Sequence, residues 1–214
     1  MSANSIKDQI YEACKNANLY RLDFILKHTQ NQQEKEKILK MFDLHMKQLT
    51  QYIINSDFHK TWKLSEEFIK GLHKRFFPPG YKKTKKLKSG QEIVYFIPGQ
   101  YKIFPNHPRV APKDVKKEMK KWINDYNLYW KNRDFDYYAL KMLDFFRIHP
   151  FTNWNGVTIS IIFDLMLLYN NLKPYWLKAK YLIPGFRLTF YNIIDNALKT
   201  KNYNNYLKFL KNFY

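Results

Sequence analysis

The stretch that decides the fold is Ile148-His149-Pro150-Phe151-Thr152-Asn153-Trp154-Asn155-Gly156, which lies between one amphipathic segment and an almost entirely apolar one. Residues 155–169 have the composition of a buried helix, so His149 faces that helix's N-terminus. A helix N-terminus presents unpaired backbone N–H groups and the positive end of the helix dipole, which suit a phosphate. A neutral histidine beside bound phosphate can take a proton from an attacking hydroxyl group. The stretch therefore has the outline of a nucleotidyl-transfer site.

A purely structural interpretation of this stretch also stays open. In it, His149 ends one helix, Pro150 forces a turn and Asn155-Gly156 is ordinary loop chemistry before a core helix. In the functional interpretation, Gly156 lets the backbone approach a ligand closely, and Asn155 caps the helix or contacts the ligand. These residues alone favour the structural interpretation, because His-Pro pairs also arise by chance.

The wider sequence context favours a functional site. Residues 149–160, HPFTNWNGVTIS, resemble the signature of the bacterial-type Fic family: His, any residue, Phe, any residue, an acidic residue, Gly, Asn, Gly, Arg, two of any kind and Arg. Four residues fall on matching positions: His149, Phe151, Asn155 and Gly156. Three further segments resemble the family in its order, FIKGLHKRFFPPG (68–80) its upstream helix, IPGQYK (97–102) its flap hairpin and GFRLTFYNIIDNAL (185–198) its closing helix. The resemblance covers roughly residues 45 to 200.

The resemblance implies a mainly α fold, a Fic-like helical bundle with a small β-hairpin flap. It implies that His149 is the general base on a Ser, Thr or Tyr hydroxyl group of a target protein. The loop would hold ATP with Mg²⁺ for transfer of AMP or another phosphate-containing group. The residues implied to bind the nucleotide are Asn153, Trp154, Asn155 and Gly156. A target segment would add as a strand to a flap at residues 93 to 103, with Ile97, Gly99, Gln100 and Tyr101 as docking residues.

Several departures from the signature bear on this function. Asn153 replaces the acidic metal-binding residue, so any metal site there is weak. Trp154 replaces a glycine and either narrows the phosphate turn or stacks on something new. Val157 and Ser160 replace two arginines that would pair with phosphate; at about 1.5 to 3 kcal/mol for each charged hydrogen bond, ATP binding would weaken by about two to four orders of magnitude. The candidates to compensate are Lys173, Lys178, Lys180 and Arg187.

Hydrophobic spacing predicts helices over most of the chain. Residues 5–28 and 33–54 form two N-terminal helices, and Ser65 begins a helix that Pro78-Pro79-Gly80 stops. Residues 81–88 are predicted to be a basic loop, followed by a hairpin within residues 90–106 that turns at Pro98-Gly99. The remaining predicted helices begin at Pro112 or cover residues 137–147, 155–169, 188–198 and 203–213.

These elements predict a single globular unit. It consists of an N-terminal helical extension (1–44), a Fic-like domain (45–200) and a C-terminal helix packed on it (201–214). Cys14 is the single cysteine, which excludes an internal disulfide. The longest apolar run is too short to span a bilayer, so we expect a cytoplasmic protein, while export as an effector into a host cell stays open. The remaining histidines, predicted to be structural or at the surface, are His28, His45, His59, His73 and His107.

Three functions are compared. The preferred one is a divergent transferase with His149 as base and a target protein at the flap. The second is a catalytically inactive scaffold that binds a partner or regulates an active relative, favoured by Trp154, Val157 and Ser160. The third and least favoured is a nucleic-acid-binding module, suggested by a net charge of +19 and the lysines of residues 82–88. An open pocket at His149 favours an enzyme, whereas a His149 packed under Trp154 favours a scaffold.

Overall fold

The computed structural model describes residues 5–105, 109–131, 133–177 and 179–214. The elements are α1 (Ile6–His28), α2 (Gln32–Ile54), α3 (Asp57–Thr61), α4 (Glu66–Lys74), β1 (Lys83–Lys86), β2 (Glu92–Phe96), α5 (Pro112–Tyr129), α6 (Phe135–Ile148), α7 (Asn155–Leu168), a 3-10 turn (Ala179–Leu182), α8 (Phe186–Thr200) and α9 (Asn204–Lys211). The predicted fold class, mainly helical with a small β-hairpin, is confirmed. The sequence did not predict α3 or the 3-10 turn. The predictions made for Asn106, His107 and Lys178 concern residues outside the described ranges.

Helix α7 lies at the centre of the molecule because its sequence is apolar on every face. Every residue from Thr158 to Leu167 is buried, and α7 packs against α1, α4 and α6. Residues of α1 such as Ile10 and Cys14 belong to the same hydrophobic core as α7. The two N-terminal helices therefore pack on the core that positions the 149–154 loop. Among the described helices, none combines the length and the apolar character that crossing a bilayer requires.

Capping residues set several of the helix starts. The Ser65 hydroxyl accepts a hydrogen bond from the Phe68 N–H at the start of α4, as the sequence predicted. Pro112 occupies the first turn of α5, where its missing N–H costs nothing. By contrast, no side chain caps the N-terminus of α7, where Trp154 is the N-cap residue. The first N–H groups of α7 are therefore not used by a side-chain cap.

The hairpin lies earlier in the chain than predicted. Strand β1 pairs antiparallel with β2, and the turn between them contains Gly90 at a φ of 86°. The prediction of a loop over residues 81–88 was wrong for residues 83–86, which form β1. Lysines suit an exposed edge strand since they discourage further pairing. Pro98-Gly99 is a turn, but the chain after it is not a strand, since the Lys102 N–H donates to the carbonyl oxygen of Pro150 at 2.9 Å.

A buried carboxylate in α7 holds the segment that follows this helix. Oδ1 of Asp164 accepts hydrogen bonds from the backbone N–H groups of Tyr175 (2.7 Å) and Trp176 (2.9 Å), whereas Oδ2 is buried without a partner. Burial raises the pKa of Asp164 to about 7 despite these two bonds. The pKa of this buried acid is raised, so its contribution to the free energy of unfolding falls as the pH rises.

Candidate active site

The loop between α6 and α7 is bounded by two residues in the left-handed backbone region. His149 ends α6 with a φ of 49°, and Trp154 precedes α7 with a φ of 63°. The left-handed region costs a residue with a side chain about 1 to 2 kcal/mol. Since neither residue is glycine, contacts elsewhere in the loop must hold this shape.

Asn155 provides one of these contacts. Its amide oxygen accepts a hydrogen bond from the Phe151 N–H (2.9 Å), and its amide nitrogen donates to the Phe151 carbonyl oxygen (2.7 Å). Phe151 is fully buried, as expected for the residue that anchors the loop. Because the amide of Asn155 is used within the loop, its backbone N–H is the group that remains for a ligand.

His73 joins the loop to the flap. Its Nε2 donates to the carbonyl oxygen of Asn153 (3.0 Å), and its Nδ1 accepts from the Gly99 N–H (2.9 Å). The imidazole is fully buried and stacks on Phe151 with ring centroids 3.9 Å apart. Burial lowers the pKa of His73 to about 4, so the ring is neutral, as these two bonds require. Sequence analysis predicted only a structural or surface role, and no local signal identifies a bond across 80 positions.

The four predicted docking residues of the flap divide into two pairs. Gly99 and Tyr101 lie against the loop: Gly99 bonds to His73, and the Tyr101 ring lies 5.8 Å from that of Phe151. Gly99 is required at its position because its φ is 80° and an added Cβ would lie 3.0 Å from the Lys70 carbonyl oxygen. Ile97 and Gln100 are exposed and are the pair available to a target.

Trp154 packs against the chain after α4 and against α1. Its ring stacks on Phe76 at 5.3 Å, and the guanidinium group of Arg21 from α1 lies 4.2 Å above it. A cavity of about 250 Å³ lies beside this stack, lined by residues of α1 and α2 and by Trp154 itself. Of the two effects that the sequence allowed for this residue, stacking on a new partner is the one observed.

His149 is half-buried. Its Nδ1 is buried without a hydrogen-bond partner among the described residues, and Nε2 is the ring nitrogen nearer the surface. Burial, and then the positive charges of Lys102 and Arg109, lower the pKa of His149 to about 4. The imidazole is therefore neutral at pH 7 and able to accept a proton.

Sequence analysis missed the two cations beside His149. Lys102 is 3% exposed; its Nζ donates to the Ile148 carbonyl oxygen (3.4 Å), and burial lowers its pKa to about 8. The Arg109 side chain is 12% exposed, forms an ion pair with Asp195 (2.7 Å) and leaves Nη1 buried without a partner. A lysine or arginine between a flap and a helix is normally solvated, so their burial could not be inferred from residue type.

Comparison with known proteins gives the family. Residues 63–167 match the model of the Fic/DOC family. They belong to this family. A Fic domain containing signaling protein from Bacteroides thetaiotaomicron has a similar fold, with a TM-score of 0.59 and 16% identity over 91% of this chain and 76% of its own. A search of curated proteins finds no match.

Fic proteins generally transfer phosphate-containing groups such as AMP to other proteins. In this Fic domain, the two positions of the signature arginines lie on the first turns of α7. Val157 packs partly buried against the core, and the Ser160 hydroxyl, also buried, donates to the Gly156 carbonyl oxygen (2.6 Å). Neither side chain can replace an arginine.

The predicted compensating cations have other contacts. Lys180 donates to the carbonyl oxygen of Phe213, and Arg187 donates to the Tyr20 hydroxyl group (2.9 Å). Lys173 is exposed. No contact in the described part of the chain brings these three side chains to the 149–154 loop.

The residues of the Fic loop suit Mg²⁺ poorly. Residues 149–160 contain no carboxylate, and Asn153 provides one neutral amide oxygen. Across the described residues, no group of three or more His, Cys, Asp or Glu side chains could hold a metal ion. The role of Asn153 as a metal ligand stays a prediction, and no step below depends on a metal.

Proposed function

We propose that this protein transfers AMP or another phosphate-containing group to a hydroxyl group of a target protein, with His149 as the general base. The observation that carries the proposal is a neutral imidazole, with its buried nitrogen unbonded, next to a helix N-terminus that no side chain caps. The loop is held in shape independently of any ligand by Asn155 and His73. The backbone N–H groups of Asn155 and Gly156 are proposed to bind the donor's phosphate.

With ATP as donor, the target's hydroxyl oxygen attacks the α-phosphorus atom. A bond forms between these atoms, the bond from the α-phosphorus to its bridging oxygen breaks, and pyrophosphate leaves. The hydroxyl proton moves to Nε2 of His149. An imidazole with a pKa near 4 is a weak base, but the negative charge of bound phosphate raises that pKa because it stabilises the imidazolium ion.

The target segment is proposed to dock at the flap. The hairpin has two strands, so each strand has one edge whose backbone groups the hairpin does not use. A target strand can add to the free edge of β2 through backbone pairing, next to the exposed Ile97 and Gln100, because the lysines that disfavour pairing lie on β1. Action in the cytoplasm, or in a host cell after export, belongs to the same proposal.

A catalytically inactive scaffold is the second candidate. The replacement of the second signature arginine favours it. Ser160 stands at that position, is buried and bonds to the Gly156 carbonyl oxygen, so it cannot pair with a triphosphate. A scaffold would bind its partner through the same flap and would not need His149.

Mass spectrometry of the purified protein distinguishes the two. The protein is incubated with Mg²⁺ or Mn²⁺ and a panel of nucleotide and phosphodiester donors, alongside His149→Ala and the surface control His28→Ala. Self-modification or donor cleavage in the wild type and the control, absent from His149→Ala, supports the transferase. No reaction with any donor, or a reaction that His149→Ala retains, rejects His149 as its base.

A further inference from the structure

We infer that Lys102 and Arg109 form a binding site for a phosphate oxyanion beside His149, in place of the two signature arginines that this chain lacks. This inference rests on the proposed function, since it names the residues that hold the donor's phosphate. Neither residue belongs to the signature segment 149–160.

Donor groups around His149 lack acceptors among the described residues. Nη1 of Arg109 is buried without a partner. The Lys102 ammonium group has three donors, yet its one acceptor among the described residues is the Ile148 carbonyl oxygen at 3.4 Å, which is long for such a bond. Buried polar groups are rarely left unsatisfied, so those that are require an explanation. A bound oxyanion would accept from both side chains.

Backbone hydrogen bonds also fix both residues relative to His149. The Lys102 N–H donates to the carbonyl oxygen of Pro150 (2.9 Å), and the Val110 N–H donates to that of Arg147 (3.2 Å). Lys102 and the neighbour of Arg109 are thus attached to the chain on either side of His149. The positive charges of both side chains also lower the pKa of His149, after burial.

The positive charges of Lys102 and Arg109 are less well compensated than those of other cations nearby. The cations of α6 have carboxylate partners: the buried Lys141 pairs with Asp125, and the partly exposed Arg147 pairs with Glu118 and Asp144. Lys102 has no carboxylate partner among the described residues, and the one partner of Arg109, Asp195, is 56% exposed. Two neighbouring buried cations repel each other and lose hydration, which is costly without an anion. A phosphate group would compensate both charges.

Pyrophosphate binding without metal tests the inference. Thermal unfolding and ³¹P NMR are recorded with pyrophosphate, inorganic phosphate and ATP for the wild type, Lys102→Met, Arg109→Met, Arg109→Lys and the control Lys141→Met, which removes another buried lysine. We expect saturable binding to the wild type, affinity lower by about tenfold or more in Lys102→Met and Arg109→Met, and affinity within a few fold in Arg109→Lys and Lys141→Met. Unchanged affinity in Lys102→Met, or an equal loss in Lys141→Met, would overturn the site.

The test separates the site from the proposed function. His149→Ala should retain pyrophosphate binding while losing transfer. If pyrophosphate binding depends on Lys102 and Arg109 but no donor is ever consumed, the site stands and the transferase proposal fails. If transfer proceeds and Lys102→Met leaves the donor KM unchanged, the transferase stands and the site is overturned.

Discussion

The two sides of the 149–154 loop differ in how completely their polar side chains are bonded. Toward α4 and the flap, His73 uses both ring nitrogens and Asn155 uses both ends of its amide. Toward the segment that follows the flap, Nδ1 of His149 and Nη1 of Arg109 are buried without partners. Burying unsatisfied polar groups costs free energy. His73 and Asn155 avoid this cost, whereas the Tyr101 hydroxyl group on their side is also buried without a partner among the described residues. The difference indicates that the first side holds the loop in shape and that the second side receives a ligand.

The largest effect should come from changing His149, on the side whose buried polar atoms lack partners. His149→Ala is expected to lower transfer by about 10²- to 10⁴-fold, because it removes the general base. Its free energy of unfolding should change by less than about 1 kcal/mol, since the imidazole bonds to nothing in the described structure. Donor turnover and urea unfolding measure the two quantities. A large loss of stability would show that His149 belongs to the structural side instead.

The next effect should come from the bonded side. Asn155→Ala leaves the Phe151 N–H and carbonyl groups without partners, so we expect a loss of about 2 to 4 kcal/mol in the free energy of unfolding. Asn153→Ala is the matched control, because the Asn153 side chain makes no hydrogen bond within the described part of the chain, and it should change stability by less than about 0.5 kcal/mol. Equal losses in the two variants, measured by urea unfolding, would contradict the assignment.

The pH dependence of stability sharpens the comparison. The pKa of His73 is about 4 when folded and near 6.5 otherwise, so the unfolded chain binds more protons between these values. Stability from His73 is present above pH 6.5 and lost as the pH falls toward 4, by on the order of 1 to 3 kcal/mol. Asp164 acts oppositely: its raised pKa, about 7, makes its contribution fall as the pH rises from about 4 to 7.

A variant isolates the histidine from this opposing effect. His73→Gln should be less stable than the wild type at pH 7. The difference should shrink as the pH falls from 6.5 to 4, because protonation of His73 in the unfolded wild-type chain lowers the stability of the wild type there, and the variant has no such group. Urea unfolding at several pH values measures this difference. A difference that stays constant with pH would remove His73 as the titrating group.

The smallest effect should come from restoring one signature arginine. Val157→Arg places a guanidinium group on the first turn of α7, at a partly buried position, and should strengthen ATP or pyrophosphate binding about tenfold, which corresponds to about 1.4 kcal/mol. Val157→Met controls for side-chain length and should leave the affinity unchanged. Calorimetric titration measures both, and equal affinities would show that α7 does not face the anion.

Local signals predicted the helical framework. The apolar spacing of α1 and α2, the Ser65 cap and Pro112 at the start of α5 gave helix positions to within a few residues, because periodicity and capping are properties of neighbouring residues. The signature residues placed His149 at the correct junction of α6 and α7. The hairpin was misplaced because a run of lysines is typical of a loop as well as of an edge strand.

The interactions that define the candidate site are not local. His73 contacts Asn153 and Gly99, which are 80 and 26 positions away, and Lys102 bonds to Ile148 across 46 positions. The burial of Lys102 follows from how the end of the flap packs against the end of α6, and a lysine there would otherwise be expected in solvent. Arg109 depends on the same packing.

The most direct test of the difference between the two sides is ¹⁵N NMR of the histidine rings, titrated with pH in the absence and presence of pyrophosphate, with His149→Ala to assign the signals. We expect pyrophosphate to raise the pKa of His149, because the anion stabilises the imidazolium ion, and to leave the signals and pKa of His73 unchanged. Signals of His149 that do not respond, or an equal response of both histidines, would contradict it.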